Sequence, residues 1–513
     1  HKEYRRQRQM CIRDRPMNRL RTSLTALAAA ITLSGLANAA TRYEELANQP
    51  FEKGFPTETA ARTLIDELVF QRAVQSYLWA LPAINIWSMK EASEKEFGAG
   101  YNILPTWKKR INAKTLVTTP NSDLVYAMSY LDLQKYGPLV VEAPPGVQGM
   151  FDDFFQRPIV GPTIDGKTWR GDVGLAGPDK GKGGTYVLLP PDYKGPEPTE
   201  GYVYRSRTNN VFLFWRTFFK DPKDLSVPVA EVERTKIYPL GKKDEALPMQ
   251  FPDATGAPIN MLFPEDGRYF DMLSRFIDAE AVDPADMDMR GFLHTLGIEK
   301  GKPFAPDAQR RKLLDEAART AFKMSKVVTS HLLLKEPGGL YYKDRQYVNT
   351  FAGENTEFQS SGSFTNLEQR VAFFTSAYSD SPGMVMNMVG AGAKYPATTR
   401  DADGKFLDGA QTYKLNLPAN VPAALFWSVT AYDNLTASGL DNGQPFPSLN
   451  QMDKPVQNSD GSTDIYFGPK SPGEGKNWIK TVPDKGFLVI VRLYGPKQAF
   501  FDQSWKPSDL LKQ

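Results

Sequence analysis

The feature that most restricts this chain is the alternation between short punctuated apolar runs and long helical stripes. Over residues 115–205 the runs TLVTT, LVYAMSYLDL, GPLVVEAP, TYVLLP and YVYRS are each bounded by Pro, Gly or Asp, the texture of short strands and tight turns. The same texture returns beyond residue 375 in YKLNLP, ALFWSVTAYD, STDIYFGP and GFLVIVRLYGP. Such close spacing suits a sandwich or jelly roll and leaves no room for βαβ crossovers.

Between these regions, at about 208–335, VFLFWRTFF, RYFDMLSRFID, MRGFLHTLG and DAQRRKLLDEAARTAFKMSKVVTSHLLLKEPGG read as helices. Asp307 is placed to cap the last of them, and Pro337-Gly338-Gly339 to stop it. Residues 57–98 read as a helical hairpin or long broken helix, with Leu64, Leu68, Ala73, Leu78 and Leu81 forming a stripe up to Pro82. The expected fold is mainly β with helical segments (α+β). Two jelly-roll-like β-sandwich domains, at 57–205 with the N-terminal helix and at 375–510, are joined by a helical connector at 206–374.

The first 39 residues are set aside from the fold. Residues 1–16 have no apolar period and read as a non-native extension ahead of Met17. Residues 17–39 read as a signal peptide: Arg19 and Arg21, an apolar stretch from Ala26 to Leu36, then Ala37-Asn38-Ala39. The stretch falls short of the roughly 20 residues a spanning helix needs. The expectation is a periplasmic or secreted protein cleaved after Ala39, with no membrane span.

This leader holds eight of the 62 Lys+Arg and two of the 59 Asp+Glu, which leaves 54 against 57 and a net charge of −3 beyond it. Nucleic acid is therefore not an expected partner. The single cysteine, Cys11, lies in the leader, so no disulfide or thiolate chemistry is expected beyond it. Two histidines remain, His294 and His331, both in apolar helical segments that suit packing or a helix C-terminus. No zinc, P-loop or dinucleotide motif is present, and neither cofactor nor metal is expected.

Residue parity supplies the candidate site. Arg205 and Arg207 share a face of YVYRSRT if it is a strand, directly before an expected helix capped at Thr208, Asn209 or Asn210. They read either as an anion site at a helix start or as interdomain salt bridges. In MFDDFF one of Asp152 and Asp153 faces inward whichever parity holds, and burial would raise its pKa toward general-acid work. Asp123 is the partner for two-carboxylate chemistry.

Asn121 and Asp123 share a face opposite Leu124, Tyr126, Met128 and Tyr130, and read as an Asx-turn or as pocket residues. Leu425, Trp427, Val429 and Ala431 read as core, leaving Phe426, Ser428, Thr430 and Tyr432 on a ligand wall or a hydrated face. Arg492 shares parity with Leu488, Ile490 and Tyr494, so it is part-buried and needs an acceptor, for which Asp433 or Asp460 is available. Trp478, in a turn-like stretch, reads as a stacking platform or a plug.

The motifs TPNSDLVYAMSYLDL, GPLVVEAP, YRSRTNNVFLFWR and LGIEKGKPFAPDA, followed by GKFLDGAQTYKL, LFWSVTAYD, DGSTDIYFGP, NWIKTVPDKGFLVIVRLYGP and SWKP, occur in that order. In this they resemble the paired families domain of unknown function 1254 (N-terminal) and domain of unknown function 1214 (C-terminal), over nearly all of the chain beyond the leader. The resemblance implies two jelly-roll-like domains with a helical portion, exported bacterial proteins and a homo-oligomer, with no agreed activity. Leu124 stands where the family commonly has Thr, so no role is carried over for that hydroxyl.

These readings describe an exported protein that binds a small, anionic organic ligand in an aromatic-lined pocket near the domain junction. The candidate binding residues are Asn121, Tyr126, Arg205, Arg207, Ser428, Tyr432, Trp478 and Arg492. One alternative is a metal-independent hydrolase or lyase using Asp123 with Asp152 or Asp153; another is a structural oligomeric envelope protein.

Overall fold

The computed structural model describes residues 40–349, 351, 353–360 and 362–513, so the extension and signal-peptide expectations lie outside the described residues. Two compact units divide the chain, residues 1–64 and 65–513. The described part of the first holds a helix, Arg42–Ala47, whose capping box pairs Thr41 with Glu44, and a hairpin of Phe51–Glu52 with Phe55–Pro56. The helix α1, Glu58–Phe97, spans the sequence boundary between the units and continues through Pro82, where a break was expected.

The second unit is α+β, with β-sandwich-like sheets, none of them closed. Its first sandwich pairs a six-stranded sheet with a four-stranded one. The four-stranded sheet holds β1, Val125–Asp132, β2, Gln148–Asp153, and β3, Asn210–Thr217, with Asp172–Val173 at its edge. Val125, Ala127, Phe151, Leu213 and Trp215 face the six-stranded sheet and form the sandwich core with Val141, Tyr186 and Leu188. The alternate residues Tyr126, Met128, Met150, Phe212 and Phe214 face the other way, onto α1 and the connector.

That double burial corrects one expectation. VFLFWR is strand β3, because a strand covered on both faces loses its polar alternation and reads as a continuous apolar run. It and Lys236–Pro239 belong to the first sandwich although they lie beyond residue 205. The connector helices include α2, Ala308–Val327, and α3, Leu367–Ser376. Asp307 caps α2, accepting the Arg310 N–H at 2.8 Å.

In the second sandwich β4, Ala423–Asp433, pairs with β5, Phe487–Pro496, inside a five-stranded sheet. Trp427, Val429, Ala431, Val489, Val491 and Leu493 face the opposing four-stranded sheet and make its core with Leu415, Ile465 and Phe467. Leu425, expected there, is 46% exposed instead, beside the register shift that interrupts β4 between Ala423 and Phe426. Among the described residues no helix is long and apolar enough to cross a membrane.

Candidate functional site

In each sandwich, then, one sheet is covered on both faces, and the outer faces of these two sheets meet around a cavity of about 140 Å³. Antiparallel pairing sets Tyr126 of β1 directly opposite Arg216 of β3, with Phe214 two residues earlier on the same face. From β5 the cavity receives Leu488, Ile490, Arg492 and Tyr494. The connector closes it with Leu333, Val348, Phe351, Ala372 and Phe373, and the segments that follow add Tyr378, Ser379 and Tyr395.

Two guanidiniums line the cavity, Arg492 from β5 and Arg216 from β3. Arg492 is 4% exposed; its Nη1 donates to Thr430 Oγ1 at 3.2 Å and its Nη2 to the Thr119 carbonyl at 3.1 Å. Its guanidinium lies 5.4 Å from the Tyr432 ring centroid. Arg216 lines this cavity and also a smaller one of about 40 Å³, which Asp172 and Gly383 border. Its Nε is buried with no hydrogen-bond partner. Among the described residues neither arginine forms an ion pair.

Burial works against both charges. The surrounding phenols, Tyr432 and Tyr494 foremost at Arg492 and Tyr395 and Tyr494 at Arg216, outweigh it and hold both pKa values above the ordinary range. The same burial raises the phenols of Tyr126, Tyr378 and Tyr494, which stay neutral hydroxyl donors. Thr119 is held at φ 38°, a rare conformation for a β-branched residue, with its N–H on the Ala437 carbonyl at 2.6 Å. The cavity wall thus carries backbone strain where its carbonyl meets Arg492.

Behind Ser379 lies a group of buried acids. Ser379, at φ 60°, donates its hydroxyl to Asp152 Oδ2 at 2.5 Å. Burial pushes the Asp152 carboxyl well up, against the pull of that hydrogen bond. Asp172 is pushed up to about 6 by burial, although its Oδ2 takes the Gly383 N–H at 2.7 Å. Asp380 is fully buried with both oxygens unpartnered, and burial and its acidic neighbours raise its carboxyl as well. Among the described residues no group of three or more His, Cys, Asp or Glu is placed to hold a metal ion.

The sequence candidates distribute as follows. Tyr126 and Arg492 line the cavity. Asn121 reaches a lining residue, its Nδ2 donating to the Tyr494 hydroxyl at 2.6 Å, while its Oδ1 takes the Asp123 N–H at 2.9 Å and so closes the Asx-turn as well. Tyr432 donates to the Pro120 carbonyl at 2.6 Å, and Ser428, opposite Arg492 in the sheet, is buried with an unpartnered hydroxyl. The face that bears them is covered by protein, since Tyr432 and Ser428 are fully buried.

The acceptors of Arg492 are Thr430 and Thr119, in place of the expected Asp433 or Asp460. Asp433 instead pairs with Lys485, and Asp460 binds Ser462.

The three carboxylates do not converge. Asp123 pairs with Arg110 at 2.6 Å and accepts Asn450 Nδ2 at 2.7 Å, Asp153 pairs with Arg157 at 2.7 Å, and Asp152 faces Ser379. Arg205 and Arg207 lie at the surface, 3.1 Å from Glu197 and 3.8 Å from Glu357. The helix expected beside them is β3, so no helix start is there to focus an anion. Trp478 lies in a strand, Asn477–Lys480, with its indole N–H on the Gly468 carbonyl at 2.9 Å and away from the cavity wall. His294 pairs with Glu299 at the surface, and the exposed His331 lies against Phe406.

Sequence reasoning missed Arg216, Tyr378, Ser379 and Tyr395. Parity would have found Arg216, since Phe212, Phe214 and Arg216 alternate once β3 is extended. The other three come from irregular segments beyond the connector, where no periodicity points inward.

Residues 101–239 match the family model of a protein of unknown function, DUF1254, and residues 392–498 match that of a protein of unknown function, DUF1214. Tyr126 and Arg216 lie in the first match, Arg492 and Tyr494 in the second. No curated protein matches the chain. Among solved structures it resembles the VPA0106 protein from Vibrio parahaemolyticus, at 18% identity and a TM-score of 0.50, over 87% of this chain and 100% of that one. An uncharacterised protein from Burkholderia cenocepacia is 14% identical with a TM-score of 0.37, over 88% of this chain and 97% of that one. The first likeness is one of fold.

Proposed function

We propose that this chain, which carries DUF1254 and DUF1214 in that order, binds a small organic anion at the junction of its two sandwiches. The observation that carries the reading is Arg492, buried on a cavity wall with neutral oxygens, the Thr430 hydroxyl and the Thr119 carbonyl among them, as its acceptors and no ion pair among the described residues. A desolvated guanidinium without a counter-charge is costly, and an anion entering the cavity would relieve that cost. Arg216, which lines the same cavity from β3 and forms no ion pair among the described residues, adds to the attraction.

Acetate, phosphate and benzoate, set against acetamide and benzamide, test the reading by thermal shift and calorimetry. Anions are expected to raise the melting temperature and the amides to leave it unchanged. Arg492→Met should weaken anion binding about tenfold to a hundredfold, the loss of one charge-assisted hydrogen bond. Arg205→Met, which alters a surface pair, should leave binding intact. Equal binding to wild type and Arg492→Met would sink the proposal. The two-carboxylate hydrolase reading has less support, because Asp123 and Asp153 are each neutralised by their own arginine.

A further inference from the structure

Both arginines of the cavity come from the sheets and the phenylalanines Phe351 and Phe373 from the connector, with Thr329, Ser376, Thr398 and Thr399 also on the lining. Tyr126 lies opposite Arg216 across β1 and β3, Phe214 packs its ring 4.8 Å from Tyr126 and 5.7 Å from Tyr378, and Tyr494 and Arg492 of β5 are bonded to Asn121 and Thr119 at the entry to β1, so these groups cluster at the end where the two sheets meet. The other end is closed by the connector, where Phe351 packs on Phe373 with centroids 4.6 Å apart beside Leu333, Val348 and Ala372. The polar end offers donors: guanidinium N–H groups, the Tyr126 and Tyr378 hydroxyls, which have no protein partner among the described residues, and Tyr494, whose oxygen already accepts from Asn121. A carboxylate, which offers acceptors alone, can take all of these donors at once.

Charge and size narrow the class further. Asp172 acts on Arg216, whereas no carboxylate figures among the groups acting most strongly on Arg492. The cavity lining holds these two arginines and no carboxylate, and Asp172 borders only the smaller cavity beside Arg216, so Arg492 is left without a counter-charge, which suits a monoanion. A cavity of about 140 Å³ is close to the roughly 150 Å³ apolar cavity that holds a benzene molecule. Phosphate would leave the phenylalanine end unfilled, and a dicarboxylate would drive a second charge into it.

Resting on the proposed anion-binding function, we infer that the occupant is a compact monocarboxylate bearing a single ring, its carboxylate on Arg492 and its ring against Phe351 and Phe373. Binding is driven at one end by charge-assisted hydrogen bonds and at the other by burial of the ring. Removing either end of the ligand weakens it by a separate route.

The test uses the full chain without its leader and calorimetry with benzoate, cyclohexanecarboxylate, acetate, phosphate, terephthalate and benzamide. Benzoate and cyclohexanecarboxylate are expected to bind at least about tenfold more tightly than acetate, phosphate or terephthalate, with benzamide weaker again. Ala372→Leu, which fills the apolar end, should weaken benzoate about tenfold and leave acetate unchanged. The wild-type comparison decides the class even if that variant fails to fold. Acetate or phosphate binding as tightly as benzoate would overturn the ring while leaving anion binding in place. Benzamide equal to benzoate, or no binding by any compound, would overturn the anion reading and this inference with it.

Discussion

Asp172 carries the clearest pH dependence of any single residue near the site. Burial raises its carboxyl from 3.8 to about 6, against the Gly383 N–H and the charge of Arg216. A raised pKa means that the folded state binds the proton more tightly. Its stabilising contribution is thus complete below about 3.8 and lost as pH rises through about 6. Asp172→Asn fixes the neutral form, and its amide oxygen can still accept from Gly383. The variant should match wild type in acid and gain on it across that window, by about 3 kcal/mol at neutral pH. Urea denaturation of both proteins on either side of the window measures the gain, and a difference independent of pH would contradict it.

The residue scale also shows what a sequence can reveal. Arg492 was legible because three apolar neighbours share its parity, and an arginine in such a row must be buried and bonded. Its acceptors were not, because Thr119 is 373 positions away and offers a backbone carbonyl, which no side-chain inventory records.

At the scale of elements, parity worked where one face of a strand stands out and failed where neither does. β5 could be divided correctly into Val489, Val491 and Leu493 against Leu488, Ile490 and Arg492 because the arginine marks one face. Between Asn210 and Arg216 β3 has no polar residue, and its run of buried side chains imitates a helix. What distinguishes it is its neighbour. Gly149 of β2 lies opposite Trp215, and a Cβ there would stand 2.2 Å from both the Phe214 carbonyl oxygen and the Trp215 ring. Gly149→Ala must therefore push β2 and β3 apart. The expected cost is about 3 kcal/mol or more, at the upper end of overpacking, together with weakened anion binding as Arg216 shifts. Denaturation and benzoate titration of the variant check both; a loss under about 1 kcal/mol would show that the sheet yields freely.

For the whole molecule, the order of the two sandwiches and the helical material between them was legible from punctuation alone, and the family motifs repeat that order. Their mutual placement was not, because it depends on the segment Thr119–Asp123. Thr119 and Pro120 give carbonyls to Arg492 and Tyr432, Asn121 reaches Tyr494, and Asp123 takes Asn450. Five residues of the first sandwich's entry thus form a clip on the second, with Arg110 neutralising Asp123 inside it.

That clip has a consequence in time. Thr119 with Arg492, and Asn121 with Tyr494, join residues 373 positions apart, whereas β1 and β3, or β4 and β5, meet over much shorter loops. Closing a loop of that length costs on the order of 5 kcal/mol in chain entropy, before any constant term. Each sheet can form early from nearby segments, while the cavity waits for its two walls to find each other. In a refolding experiment the far-ultraviolet signal of the sheets should return first and benzoate binding distinctly later; simultaneous recovery would contradict this order. A chain halted partway would then hold both sandwiches and nothing for a ligand to enter.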